Sequence, residues 1–212
     1  MSFLKKTREF IDRHYKTPKG IIGMFIGEKM VRQHKTETNW SLELMNVQKG
    51  DRILELGCGA GFAIKLILEK DLAEEIVGLD NSPTIIRSAK IRNKKAINEK
   101  RAKLVQADFN KLPFHNENFN TVFSIQTIYF WTDIAKTLSE IFRVLKPEGV
   151  VILTFSDGKE DETWEEIRGI TENKVIPYMK YAGFKDVSLF KGPNSRGYHT
   201  VAVRGTKYNQ TS

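Results

Sequence analysis

Ile53-Leu54-Glu55-Leu56-Gly57-Cys58-Gly59-Ala60-Gly61 is a short apolar run, interrupted by one carboxylate, that ends in three glycines spaced two apart. The run reads as a buried strand and the glycines as a tight turn opening a helix, because glycine adopts backbone angles closed to residues with a Cβ. Glycines there also let a ligand come close to the backbone at a helix N-terminus, where free N–H groups point outward. A glycine-rich turn after a strand can equally be a mere connection, so the residues around it decide its meaning.

Outward from this turn, short apolar runs alternate with amphipathic stretches. Residues 52–56, 76–79, 103–107, 121–125 and 150–155 are short, rich in Val, Ile, Leu and Phe, and bounded by turn formers, which predicts five strands. Residues 60–70 and 84–97 have helical spacing. So do Ile134, Leu138, Ile141, Phe142 and Leu145, with Thr132 or Asp133 as N-cap and Pro147 and Gly149 as the stop. Strand and helix in alternation require right-handed crossovers and a mainly parallel sheet, the α/β class. After it, residues 163–182 read as helix, and 184–190 and 198–204 as a hairpin at one sheet edge, joined through Gly192-Pro193-Asn194. The expected division is an N-terminal helical flap over residues 1–45, with helices before Pro18 and over 21–34, and a binding domain over 46–212.

Composition bounds the rest. The 212 residues suffice for one core, and 40% hydrophobic with 28% charged residues is ordinary globular composition. No apolar run approaches the ~18 residues of a membrane span, and the segment Met1 to Tyr15 mixes charges with apolar residues, unlike a signal peptide. A cytoplasmic protein is expected. Cys58 is the single cysteine, so neither an internal disulfide nor a thiolate metal site is expected. The net charge of +8 is concentrated between Arg87 and Lys103, where eight basic residues meet one acid, Glu99. Such a run raises the alternative of an RNA partner. Its apolar positions fit one buried stripe, however, and predict a solvated helix face.

Asp80 ends the second strand 23 residues after Gly57, where a carboxylate can accept hydrogen bonds from both hydroxyls of a ribose. The spacing G-x-G-x-G differs from the G-x-G-x-x-G of nicotinamide enzymes, and Glu55 would repel a pyrophosphate, whereas it suits the cationic amino group of a methionine moiety. Both features disfavour an oxidoreductase. Ala107-Asp108-Phe109, at the end of the third strand, offers an acceptor and an aromatic face to an adenine ring. Gln126 to Trp131, after the fourth strand, then forms the reaction edge.

From about Asp51 to Gly149 the sequence resembles the class I S-adenosylmethionine-dependent methyltransferases of type 11, the ubiquinone/menaquinone-biosynthesis-like group. Glu55 to Gly61 matches the family's first motif, Gly78-Leu79-Asp80-Asn81-Ser82 its ribose motif, Ala107-Asp108-Phe109 its adenine motif, and Arg143 to Gly149 its helix-end motif. Glu148 stands where many members have glycine, and Asn120 where aspartate is frequent. The resemblance implies a Rossmann-like, mostly parallel sheet of about seven strands with a C-terminal antiparallel hairpin and helices on both faces. It implies S-adenosylmethionine held by Glu55, Gly57, Cys58, Gly59, Gly61, Asp80, Asn81, Asp108, Phe109 and Gln126, and a small-molecule acceptor in place of a nucleic acid. If the acceptor needs a general base, Tyr129, His34 and His14 are the candidates, with Trp131 a weaker member of the aromatic edge.

Overall fold

The computed structural model describes residues 34–208; His14, the helix expected before Pro18 and, all but its last residue His34, the helix expected over 21–34 lie outside the described residues. Chain order within them is α1 (Lys35–Met45), β1 (Arg52–Leu56), α2 (Phe62–Glu69), β2 (Glu75–Asp80), α3 (Pro83–Arg92), α4 (Lys94–Asn98), β3 (Ala102–Gln106) and β4 (Phe119–Ile125). After a 3-10 turn at Ile128–Phe130 come α5 (Ile134–Val144), β5 (Leu145–Lys159), β6 (Glu162–Thr163), α6 (Glu165–Ile170), a π turn (Thr171–Val175), α7 (Ile176–Ala182), β7 (Lys185–Lys191) and β8 (Tyr198–Thr206).

The strands form one sheet in the order β3-β2-β1-β4-β5-β8-β7, with the two-residue β6 paired to β5. Pairs among β1 to β5 are parallel, and β8 runs antiparallel to both β5 and β7. The sheet therefore has eight strands, the addition to the expected seven being β6. The strand order reverses beside β1, because β1 pairs with β2 on one side and β4 on the other. In an open α/β sheet the ends of the strands at such a reversal leave a crevice.

Each face of the sheet is covered by its own apolar layer. On one, Leu42 and Met45 of α1, Ile64 and Ile67 of α2 and Ile86 and Ala89 of α3 pack over Ile53, Ile76, Phe123 and Ile152. On the other, Leu138, Ile141 and Val144 of α5, with Val175 and Met179, pack over Leu54, Val77, Val122 and Val151. Alternate strand residues thus serve opposite layers, as a two-sided buried sheet requires. Within the first layer α1 is docked by a buried contact in which the Ser41 hydroxyl lies 2.7 Å from Thr154 Oγ1 of β5.

Three expectations are corrected. The helix expected over 84–97 breaks at Asn93, whose φ of −104° and ψ of 21° leave the helical region, and becomes α3 and α4. Asn93 turns its amide to Gly61 O and Ala89 O, both at 3.0 Å, so tertiary bonding takes the place of helix continuation. The helix expected over 163–182 begins after β6 and contains the π turn. Pro177 has no N–H for an i−4 bond, and the wider turn before it relieves the clash. Finally, Pro147 and Gly149 do not form a stop between helix and strand but lie inside β5, since α5 ends at Val144 and passes directly into strand. Among these residues Glu148 takes φ +63°, the left-handed region that favours glycine. Asn120 accepts hydrogen bonds from Arg52 N and Lys146 Nζ, both at 3.0 Å, at the end of β4 remote from the crevice.

Candidate active site

The glycine turn is fastened to the end of β2 by two hydrogen bonds, from Gly57 N at 2.7 Å and Cys58 N at 2.9 Å, both to Leu79 O. Its three glycines all have positive φ, +74°, +51° and +76° for Gly57, Gly59 and Gly61. What a Cβ would meet separates their roles. At Gly57 it would collide with the Thr127 side chain, and at Gly61 with the Asn93 amide and, at 3.1 Å, with Ala89 Cβ. At Gly59 no atom lies within 4 Å. The outer glycines thus permit close packing of the turn, while the middle one borders open space.

Asp80 borders that space, and the buried Glu55 lies within electrostatic reach of Asp80. Asp80 accepts hydrogen bonds from Ser82 N at 2.9 Å through Oδ1 and from Gly59 N at 3.3 Å through Oδ2. Burial pushes its pKa up to about 6, although the N–H groups of Ser82, Gly59 and Asn81 pull the other way. Glu55 is 4% exposed, and its Oε2 has no hydrogen-bond partner. Burial, and then the negative charge of Asp80, hold its carboxyl well above the usual range. The same causes, burial first and then Glu55 and Asp80, raise the Cys58 thiol, leaving it a neutral packing group.

Beyond Asp80 the crevice continues as a cleft of about 350 Å³ lined by Asn81, Gln106, Asp108, Phe109, Phe130 and Trp131, among others. Asp108 Oδ1 accepts from Asn110 N at 2.8 Å, which orients the carboxylate while leaving it exposed. Trp131 Nε1 donates to Thr127 Oγ1 at 3.2 Å, so Thr127 links the aromatic edge to the glycine turn it packs against. Trp131 is buried and belongs to the core, whereas Phe130 is half-buried.

Gln126 and Tyr129 lie on the β4–β5 side. Gln126 has φ +58°, an uncommon conformation for this residue, and directs its side chain at β5. Its Nε2 donates to Ser156 Oγ at 2.9 Å, and its Oε1 accepts from Ser156 N at 3.2 Å. The Tyr129 hydroxyl lies 2.8 Å from both Gln126 Oε1 and Ser156 O, and accepts from Ser156 N at 2.6 Å. Burial raises the phenol above its ordinary value, the Ser156 hydrogen bonds oppose this, and the charges of Asp157 and Glu37 add to it. Tyr129 is therefore protonated at neutral pH and acts as a donor that orders the loop.

His34, the residue before α1, makes no capping bond, and its Nδ1 lies 3.5 Å from Glu37 Oε1. Local sequence does not single out Glu37, Asn93, Thr127 and Ser156, because each is tied to the site through a partner at least 30 residues away. The basic run is also only partly a solvated face. Arg92 Nε donates to Ala60 O at 2.8 Å in the glycine turn, and Arg101 pairs with Asp71 at 2.7 Å, while Lys90, Lys94, Lys95 and Lys100 are exposed.

Residues 54–153 match the family model described as a methyltransferase domain. Over that span, a little under half of the chain, the sequence is similar to the methyltransferase-domain family. An uncharacterized methyltransferase of Bacillus subtilis, YdaC, is 25% identical over 78% of this chain and 89% of its own length. Sterol methyltransferases of Arabidopsis thaliana and Pneumocystis carinii are 28% and 29% identical, but the chain spans less than half of their length. Among solved structures, the Haloferax volcanii complex between the Trm112 methyltransferase activator and a putative methyltransferase matches with a TM-score of 0.75, at 20% identity over 89% of this chain and 96% of that one. Haemonchus contortus phosphoethanolamine N-methyltransferase 2, in complex with phosphomonomethylethanolamine and S-adenosylhomocysteine, matches with a TM-score of 0.70, at 16% identity over 88% of this chain and 57% of that one. At those identities the two structures establish the fold.

Proposed function

We propose that this protein uses S-adenosylmethionine to methylate a small-molecule acceptor. The observation that carries the reading is a pair of buried, electrostatically coupled carboxylates at the glycine turn: Asp80, bonded to Gly59 N beside open space, and Glu55, whose Oε2 has no partner. The residues present fit that cofactor. Glu55 Oε2 is a buried acceptor without a partner, suited to an ammonium; Asp80 keeps lone pairs free on both oxygens for vicinal hydroxyls; and Phe109 and Asp108 border the cleft beside it. When bound, the cofactor supplies a methyl group on a sulfonium, activated for in-line displacement.

The protein's task is then to hold two reactants in line and keep water out. The glycine turn sets one end, anchored by Leu79 O. Asp80 and Glu55 fix a polar ligand on either side of Gly59. The Gln126–Tyr129–Ser156 network holds the β4 loop at the reaction edge, with the phenol as a fixed donor. Arg92 and Asn93 support the turn from behind through Ala60 O and Gly61 O. A small acceptor is supported by the placement of the basic run. Its functional contacts are made with the protein itself, and Arg101 sits where β2 and β3 begin, at the sheet end opposite the crevice.

Calorimetric titration with S-adenosylhomocysteine and with NAD tests the cofactor. Micromolar binding of the first and none of the second is expected, and comparable or tighter NAD binding refutes the reading. Transfer of labelled methyl to small molecules of a cell extract, resistant to RNase, tests the acceptor class.

A further inference from the structure

At the crevice end of α1 lies a carboxylate that the methyl transfer described above does not use. Glu37 is completely buried. Its Oε1 faces His34 Nδ1 and Arg196 Nη2, each at 3.5 Å, both longer than the ~2.7–2.9 Å of a well-formed charge-assisted hydrogen bond. Its Oε2 has no partner, and neither has the buried His34 Nδ1 beside it. Burial alone would raise this carboxyl, but the His34 ring, its own backbone N–H and Ser195 outweigh burial and hold it below the ordinary value. Glu37 is therefore an ionised, buried carboxylate with one open oxygen, an arrangement that is costly unless something pairs with it.

The fold places Glu37 within electrostatic reach of the Tyr129 phenol at the reaction edge. Glu37 lies one helical turn before Ser41, which docks on Thr154, and Thr154 is two residues before the Ser156 backbone that holds the Tyr129 hydroxyl. The Trp40 ring packs against Gly192, where a Cβ would come within 2.7 Å of it, so α1 is also pinned to the β7–β8 turn that carries Ser195 and Arg196. The titratable and charged groups facing it from neighbouring elements are Arg196 from that turn, the His34 ring from the start of α1, and Asp157 from β5, whose negative charge reaches the same phenol as that of Glu37. A purely structural clasp between α1 and the turn would use both carboxylate oxygens at short distance. Here one is free and the other loosely shared.

We propose that Glu37 binds the methyl acceptor, its free Oε2 taking a hydrogen bond from a cationic N–H group of the acceptor and anchoring it beside Tyr129. The acceptor class is thus a small molecule with an ammonium or amidinium-type group away from the reacting atom; the two nearby carboxylates attract such a group and repel an anionic acceptor. This rests on the methyltransferase reading.

The test uses protein saturated with S-adenosylhomocysteine and probes of matched skeleton: propylamine, propanol and propionate; benzylamine, benzyl alcohol and benzoate. At least one amine should bind tenfold or more tightly than its alcohol and carboxylate. Glu37→Gln should abolish that preference with S-adenosylhomocysteine affinity unchanged, and Ser41→Ala, which loosens α1 without touching the carboxylate, should keep it. Arg196→Gln removes a competing cation and should strengthen amine binding. No amine preference in the wild type, a Glu37→Gln protein that retains it, or weaker amine binding in Arg196→Gln would overturn the proposal. Failure of the wild type to bind S-adenosylhomocysteine would instead sink the methyltransferase reading.

Discussion

At the scale of single residues, Asp80 and the glycines give the sharpest expectations. Asp80 has a folded pKa of about 6 against an ordinary 3.8, so the folded chain holds its proton more tightly. Its contribution to stability is full below about pH 4 and is lost as pH rises through about 6, a difference of roughly 3 kcal/mol. Urea unfolding at pH 4 and pH 7 should therefore show a smaller decline with pH in Asp80→Asn than in the wild type. Ribose hydroxyls donate best to the ionised form, so S-adenosylhomocysteine affinity should rise between pH 5 and 7, less so in the variant. Asp80→Ala should weaken binding by about tenfold or more, as loss of charge-assisted bonds of ~1.5–3 kcal/mol implies. Gly57 and Gly59 separate structure from binding. Gly57→Ala collides with Thr127 and should lower the melting temperature, whereas Gly59→Val faces open space at φ +51° and should chiefly remove cofactor affinity, with backbone strain of ~1–3 kcal/mol. A Gly59→Val protein with normal affinity would reduce the turn to a connection.

At the scale of elements, the break between α3 and α4 links two segments that the sequence shows as separate. Asn93 ends α3 and donates to Gly61 O, the residue before α2, so the start of one helix depends on the end of another. Asn93→Ala leaves these carbonyls without that donor and should cost ~1–3 kcal/mol in urea denaturation. It should also weaken S-adenosylhomocysteine binding, because the glycine turn loses its support; normal affinity would mean that the turn stands without it. Both the strand carrying Glu55 and the glycine turn were legible in the sequence, since the signals are local: an apolar run, then three residues able to take positive φ. The break at Asn93 was not, because the apolar spacing continues through Ala96 and Ile97 and only a tertiary partner favours stopping there.

On the scale of the whole molecule, two layers of helices clamp one sheet, and a ligand that binds only the folded form stabilises all of it. S-adenosylhomocysteine at a hundredfold excess over its dissociation constant should add about 2.7 kcal/mol and raise the melting temperature by several degrees, while NAD should not. Neutralising the exposed Lys94, Lys95 and Lys100 together should leave methyl transfer intact; activity lost in parallel with a steeply salt-dependent RNA affinity would overturn the small-acceptor reading. No helix among the described residues is long and apolar enough to cross a membrane. The sequence by itself determined the α/β alternation, the glycine turn and the carboxylates at the ends of β1 and β2, because periodicity and backbone preference act over a few residues. Only the tertiary structure decided that Glu55 Oε2 has no partner, that Gln126 faces β5, that Arg92 supports the turn, and that Glu37 is buried beside Arg196 with one oxygen unpartnered. Those outcomes depend on burial and on partners far apart in the chain, 113 residues for Ser41 and Thr154 and 159 for Glu37 and Arg196, distances over which local preference carries no information.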